Sequence, residues 1–532
     1  MRIARFVMVA LVGIMLAVCG CTQNKFARMD KDEYMDKCKG AWAGQMIGVA
    51  WAGPYEFYSR GEPILEELRP WSEECYHRVL DQDDLYVELN FLKALELYGP
   101  DITYEQAGQV FGRFDARLWH ANLFGRENIR YGIMPPASGH PKNNRHADDI
   151  DFQIEADLLG IICPGMPVTS NKLGDVFGHI MNYGDGVYGG LFVAGMYTEA
   201  YFSKDIDQVI EAGLACIPEE SQYHKCISDV IAWHEEHPDD WLKVWQKIED
   251  KWQDDIDCAV GRPYNIDAKL NGAYIVMGML YGEGDFYKTM EVSVRCGQDA
   301  DCNPSNAAGI LGCMYGFEAL DDKYTDPIAD FADEDFNFTE YSFNEALAAS
   351  QRMTETIIKQ EGGKVTEDAY LIRRQEPEPA PLEQWDNQME ILAEAIPYSE
   401  LRLWNPGWKV IACNRQYTPG LRNKVDGRPN ILIIQPIGPN EPAAISSNLL
   451  VPNVQDPTLF VDVASYPKGS CKFKIFVDDQ LEHESVIDSK GKWVTRKVDL
   501  DKAHDKHVKV RLEVHGDGSR ESLAYLDRVE IK

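Results

Sequence analysis

The chain has 532 residues, 45% of them hydrophobic, which is material for a large core and for two or three domains. Its 86 acidic side chains against 53 basic ones leave a formal net charge of −33, so a nucleic-acid backbone would be repelled and no nucleic-acid partner is expected. Composition fixes no oligomeric state.

Taken in chain order, the first feature is a targeting segment. Arg2 and Arg5 precede an apolar run from Phe6 to Val18, too short to span a bilayer and shaped like a signal sequence. It ends in Val18-Cys19-Gly20-Cys21, which resembles a bacterial lipoprotein box. Residues 1–21 are therefore expected to be removed up to a lipidated Cys21. Residues 22–35 then form a polar tether, and the protein is anchored to the cell envelope, at the outer membrane or cell surface. Of thirteen cysteines, loss of Cys19 and lipidation of Cys21 leave eleven, an odd number that requires a free thiol.

Next comes Asp81-Gln82-Asp83-Asp84, opening a segment whose Leu85, Leu89, Leu92 and Leu95 or Leu97 form one apolar stripe. The spacing predicts a buried helix with Asp83 and Asp84 in its first turn. Adjacent like charges there are costly unless a cation or strong donors compensate. Farther on, Asp148, Asp151 and Glu155 fall at i, i+3 and i+7, on one side of a predicted helix leading into Pro164. Gln153 and Asp157 form a neighbouring i, i+4 pair. A turn from Gly184 to Gly190 carries Asp185 and Tyr188, and helical repeats follow through Trp252.

The run Arg295-Cys-Gly-Gln-Asp-Ala-Asp-Cys-Asn-Pro304 holds a second acidic pair, Asp299 and Asp301. Two carboxylates two residues apart do not share a helix face. Asn303 as N-cap and Pro304 at the first helical position place them just before a helix N-terminus. Hard oxygens in that arrangement suit Mg²⁺, Mn²⁺ or Ca²⁺ better than Zn²⁺. Around Gln375-Glu-Pro-Glu-Pro-Ala-Pro-Leu382 the composition turns to proline and acid, marking a linker over residues 351–403. From 404 to 532 the period becomes two, as in Phe473, Ile475 and Val477 or Val508, Val510, Leu512 and Val514, predicting an all-β sandwich. Its last strand, Tyr525 to Lys532, resembles that of a jelly-roll carbohydrate-binding module.

Asp83-Asp84 and Gly297-Gln-Asp-Ala-Asp-Cys302 are similar to the two signature motifs of the ADP-ribosylglycohydrolase family. Gly48 to Phe57, Ile150 to Gly165, Gly184 to Gly190 and Asn271 to Gly282 complete the resemblance in the family's order. It implies an all-α domain over 36–350 with one or two divalent ions in a central cleft, Mg²⁺ first and Mn²⁺ or Ca²⁺ as alternatives. Carried over, the metal set is Asp83, Asp84, Asp299 and Asp301, with Gln82 adding a carbonyl oxygen. Glu56, Asp151, Glu155 and Asp301 are the catalytic candidates. Asp148, Gln153, Asp157, Asp185, Tyr188 and Asn271 are the substrate-binding candidates. The chain departs from the family pattern with Gln82 and Cys302 where Thr or Ser is usual, Leu85 after the first Asp pair, and Val49 after Gly48.

The expected function is metal-dependent hydrolysis of a glycosidic or N-glycosidic bond in a carbohydrate or glycoconjugate. True ADP-ribosyl-protein hydrolysis is the alternative, and a non-catalytic glycan-binding lipoprotein that keeps the fold is a second one. An acidic stripe in the cleft, with only Arg295 nearby, would suit a neutral glycan better than a diphosphate.

Overall fold

In the computed structural model, the described residues are 26–130, 132–253, 266–383, 401, 404–405, 407–414 and 419–532. Cys21 and the signal segment lie outside them. Among the described residues no helix is long and apolar enough to cross a membrane.

The first domain is built of helices. Those that matter for the site are α1 (Lys31–Ala52), α2 (Asp83–Tyr98), α3 (His120–Arg130), α4 (Asp151–Glu155), α5 (Asp157–Ile161), α6 (Asp185–Ala200), α7 (Ala268–Gly282), α8 (Cys302–Tyr315) and α9 (Phe343–Gln360). α1, α7 and α8 are buried along nearly their whole length, so none shows a polar stripe. In α2 the apolar stripe ends on Leu95, which is buried, while Leu97 points to solvent.

The α1–α8 pair packs backbone against backbone, and the cause is composition. Gly40, Gly44 and Gly48 recur every four residues on one face of α1 and meet Gly312, Ala308 and Pro304 of α8. A β-carbon on Gly44 would lie 2.2 Å from the carbonyl oxygen of Ala308, with backbone on both sides and nothing flexible to move. This approach brings the loop before α8 down onto the first turn of α2.

A small antiparallel sheet, β1-β3-β2, ties the start of the domain to its end. It pairs β1 (Phe26–Asp30) with β3 (Ala369–Arg373), flanked by β2 (Lys364–Val365). The expected tether over 22–35 is thus folded from Phe26 onward. The expected 36–350 boundary also falls short, because α9 continues to Gln360. The proline-acid stretch is no free linker up to residue 383. It crosses the helical domain, with Gln375 N donating to Gly165 O, Ala380 N to Cys216 O and Tyr188 Oη to Pro381 O. Prolines cannot extend a sheet or helix there, so the strap is held by side chains and single amides.

The second domain is a sandwich of two five-stranded antiparallel sheets. One has the order β10 (Gln480–Ile487), β9 (Cys471–Val477), β12 (His507–His515), β7 (Ala443–Leu450), β4 (Lys409–Ala412). The other runs β11 (Val494–Asp499), β8 (Thr458–Ser465), β13 (Ala524–Ile531), β6 (Arg428–Ile434), β5 (Gly420–Val425). Alternation sets the inner faces: Val461 and Val463 of β8, Phe473 and Ile475 of β9, and Val510 and Leu512 of β12 share one core. All ten described cysteines are buried.

Gly44→Val should therefore destabilise the helical domain by about 1–3 kcal/mol or more. Chemical denaturation followed by far-UV helical ellipticity checks this; an unchanged midpoint would show that α1 and α8 do not need that closeness.

Candidate active site

The two acidic pairs meet. Asp84 is buried in the first turn of α2, and its Oδ2 accepts a 2.8 Å hydrogen bond from Ser305 Oγ of α8. Asp299 and Asp301 sit on the loop entering α8, each 3% exposed. α8 begins at Cys302, with Asp301 at the cap, slightly earlier than the Asn303 cap expected from Pro304. Pro304 still falls within the first turn, where its missing N–H costs nothing.

Backbone contacts fix this loop. Gly297 and Gln298 both have positive φ, +83° and +60°. Gln298 N donates to Ser59 O and Phe57 N donates to Gln298 O, both at 2.9 Å. That clamp carries Glu56 to the rim of the cleft beside Asp83 and Asp299. From the other side, Asn271 Oδ1 of α7 accepts from Asp299 N at 3.2 Å and from Asn303 Nδ2 at 2.8 Å. Asn271, expected to bind substrate, orients the acidic loop instead.

The resulting cleft, about 270 Å³, is lined by Glu56, Gln82, Asp83, Asp151, Asp299, Asp301 and Cys302, together with Arg78, Arg117, Trp119 and His120. Electrostatics there is one-sided. Burial first, and then Asp83, push Asp84 well above the ordinary carboxylate range. Burial and then Asp299 do the same to Asp301, and burial and then Glu56 bring Asp299 to about 7. Burial followed by Asp83 raises Glu56.

Whether these residues fit a divalent cation follows from their spare valences. Oδ1 of Asp301 is buried with no hydrogen-bond partner among the described residues, and so is Oδ2 of Asp151. A carboxylate oxygen in that state needs a proton or a cation. The donor set is hard oxygen, as Mg²⁺, Mn²⁺ or Ca²⁺ requires. Cys302 Sγ lies within 4.8 Å of carboxylate oxygens of Asp299 and Asp301, but burial keeps its thiol protonated and it hydrogen-bonds Asp299. The site fits a hard cation, with Cys302 as a donor to a ligand.

The acidic stripe is divided. Asp148 precedes the helix rather than lying on it, and the helix breaks at Ala156 between α4 and α5. Asp151 lines the cleft and takes Asn122 N on Oδ1 at 2.9 Å, while Glu155, fully buried, takes Asn122 Nδ2. Asp148, Gln153, Asp157, Asp185 and Tyr188 are not brought to the cleft. Asp157 accepts from Tyr197 Oη at 2.6 Å and Asn306 Nδ2 at 2.7 Å, deep between helices. Gln153 accepts from Tyr223 Oη, Asp185 from Tyr223 N, and Tyr188 faces the strap. Arg295 is spent on Glu291 and on the carbonyls of Ile64 and Glu66.

Several residues in and behind the cleft were not anticipated. Behind it, Glu88 lies one turn beyond Asp84 on α2, fully buried, and accepts from Leu158 N at 3.0 Å. An acid at i+4 within an apolar stripe was its signal. Arg78 and Arg117 both reach Asp81, Arg117 at 2.5 Å to each oxygen; Arg78 sits in a 3-10 turn and Arg117 in a loop, and neither carries a periodic signal.

An ADP-ribosylglycohydrolase family model matches residues 30–356. Among solved structures, an ADP-ribosylglycohydrolase-related protein complex is 17% identical, at TM-score 0.41, covering 61% of this chain and 99% of that one. The EclA C-terminal domain, a sugar-binding protein, is 15% identical over 22% of this chain and 91% of its own, at TM-score 0.18. TmCBM61 in complex with β-1,4-galactotriose is 13% identical over 26% of this chain and 94% of its own, at TM-score 0.20. No curated protein matches the chain.

Acids whose folded pKa is raised bind protons more tightly folded than unfolded. Their contribution is full below the unfolded value, about 4, and is lost as pH rises through the folded one, about 7 for Asp299. In EDTA the helical domain should melt at falling temperature from about pH 4 to pH 7, and Mg²⁺ or Mn²⁺ should restore it. A melting temperature that rises over this interval in EDTA, with no response to either ion, would contradict the site.

Proposed function

Because the chain belongs to the ADP-ribosylglycohydrolase family, a family of glycosidic-bond hydrolases, we propose that its cleft performs metal-dependent hydrolysis of a glycosidic or N-glycosidic bond. The observation that carries this is the meeting of Asp83 and Asp84 with Asp299 and Asp301 around partnerless, buried carboxylate oxygen. Those four residues would hold the ion, with Gln82 at the edge. When bound, the ion supplies Lewis-acid polarisation and an anchor for sugar hydroxyls.

The chain's own residues do the rest. Asp151 lines the cleft, held by the Asn122 amide; burial and then Asp149 raise its carboxyl well above the ordinary range, so its ionised form is a strong acceptor for a proton from the attacking water. Glu155 fixes the Asn122 side chain from behind. Glu56 at the rim is placed to orient that water or a sugar hydroxyl. Trp119, half exposed beside the acids, offers an apolar face for a sugar ring.

The substrate we propose is glycan-derived. The lipoprotein-like start would put a lipid on Cys21 and the enzyme in the cell envelope, where glycans are the substrates met. A β-sandwich beside the catalytic domain suits a carbohydrate partner. The second reading, ADP-ribosyl hydrolysis, is favoured by Arg78 and Arg117, which line the cleft and correct the expectation that Arg295 alone was near. Asp81 accepts from both arginines, so their charge is partly spent.

A screen of neutral glycosides against ADP-ribosyl-arginine and ADP-ribosyl-serine, with Mg²⁺ or Mn²⁺, tests this. Turnover of a glycoside is expected, with weak release of ADP-ribose. Efficient ADP-ribose release alone would establish the second reading. Asp299→Asn should lower kcat/KM by about 10²–10³-fold and abolish the metal-induced melting shift while helical content stays intact.

A further inference from the structure

The cleft described so far is rich in acceptors, yet breaking a glycosidic bond also requires a proton for the departing atom. Arg78 and Arg117 stay charged and do not release one, and the Trp119 indole N–H does not dissociate. Beside the Gln82 amide, which does not dissociate either, His120 is the nitrogen side chain of the cleft lining able to hold and release a proton near neutral pH, and it is one-third exposed there.

His120 is held in an unusual way. Its Nδ1 lies 3.6 Å from Oδ2 of Asp149, a carboxylate only 2% exposed. The same oxygen pairs with His146 Nδ1 at 2.6 Å. The two imidazoles stack nearly parallel, 5.1 Å apart at 8°. Arg145 Nε, which can only donate, lies 3.1 Å from His146 Nε2. That nitrogen is therefore the acceptor, so the His146 proton sits on Nδ1 and is committed to Asp149. A second positive ring stacked on His120 would repel it; a neutral, locked His146 leaves the Asp149 charge to stabilise a proton on His120. With Nδ1 turned to Asp149, Nε2 is the nitrogen on the far side of the ring.

The backbone agrees. His120 has φ +37°, uncommon for a residue with a β-carbon, and such conformations concentrate where function needs them. Two residues later, Asn122 N is fixed on Asp151 Oδ1. The proton acceptor and His120 are thus positioned by one turn of chain.

We propose that His120 is the proton donor to the leaving group, with Asp149 and His146 as its positioning residues. The inference rests on the hydrolytic reading of the cleft. In the step, the anomeric C–O or C–N bond breaks as the water oxygen bonds to the anomeric carbon. The water's proton passes to the Asp151 carboxylate, and His120 gives its proton to the departing oxygen or nitrogen. Solvent then returns a proton from Asp151 to His120, so the net change is addition of one water. The titratable and charged groups around His120 are Asp149, the neutral His146 and Asp151, and the rest of the lining adds Glu56, Arg78, Asp81, Asp83, Arg117, Asp299 and Asp301.

The test compares methyl and 4-nitrophenyl glycosides of one sugar, with full-length wild type and His120→Asn in Mg²⁺. Loss of the donor should lower kcat/KM about 100-fold or more on the methyl glycoside, which needs protonation. It should leave the 4-nitrophenyl glycoside, whose leaving group needs little, within a few fold, and should remove the alkaline limb of the pH profile. Equal losses on both would mean a structural role and overturn the proposal alone. Histidine ring NMR supplies a readout independent of turnover: the His120 signal, assigned by its loss in His120→Asn, should titrate at lower pH in Asp149→Asn. A ring indifferent to Asp149 would overturn the proposal, and a wild type inert on both glycosides would overturn the hydrolytic reading with it.

Discussion

Repulsion among buried carboxylates is the constraint on which the rest of this molecule depends. Oxygens of Asp299 and Asp301 lie within 4.8 Å of one another, and Asp83 and Asp84 face them from α2. Two like charges at that separation cost about 3–4 kcal/mol even at an effective dielectric of 20. Holding several together requires either protons, which the raised pKa values represent, or a cation. The scaffold is organised to impose the closeness. The glycine ladder of α1 lets α8 approach, the Gly297-Gln298 turn aims the loop, and Asn271 ties that loop to α7. Each of these contacts sets where the acids stand.

A second layer of acid lies behind the first. Glu88 and Asp157 are fully buried on α2 and α5, and each has donors of its own. Tyr197, Asn306 and the Leu158 amide hold them in place. The interior is therefore polar around the cleft and apolar around the polar cluster. Asn122 joins the layers, one atom on Asp151 and another on Glu155. Chemistry at the cleft and packing behind it are in this sense one network, with α3 as the bridge between acid and histidine.

Much of this was legible in the sequence, and the boundary between legible and hidden has a physical cause. Asp83, Asp84, Asp299 and Asp301 could be read because each pair opens a helix with strong apolar periodicity, so local pattern and burial agree. The sandwich could be read because alternation survives wherever one face is buried, as in β9 and β12. Asp148, Gln153 and Asp157 were placed on a cleft wall by assuming one continuous helix; the break at Ala156 rotates Asp157 into the core. Arg117 and Trp119 lie on an irregular connection and His120 opens α3 just after it; the partners of Arg117 and His120, Asp81 and Asp149, are distant in sequence, and no spacing rule reaches them. The strap from Gln375 to Glu383 looked like a linker because proline suppresses regular structure, although its side chains and single amides bind it to the domain.

The central claim is that the two acidic pairs make one hard-cation site. Anomalous scattering from a crystal grown with Mn²⁺ tests it most directly. A Mn²⁺ peak is expected within about 2.0–2.4 Å of carboxylate oxygens drawn from both pairs, Asp83 or Asp84 on one side and Asp299 or Asp301 on the other. A peak bound to one pair alone, or none at the cleft with all four carboxylates protonated and bonded to one another, would contradict it.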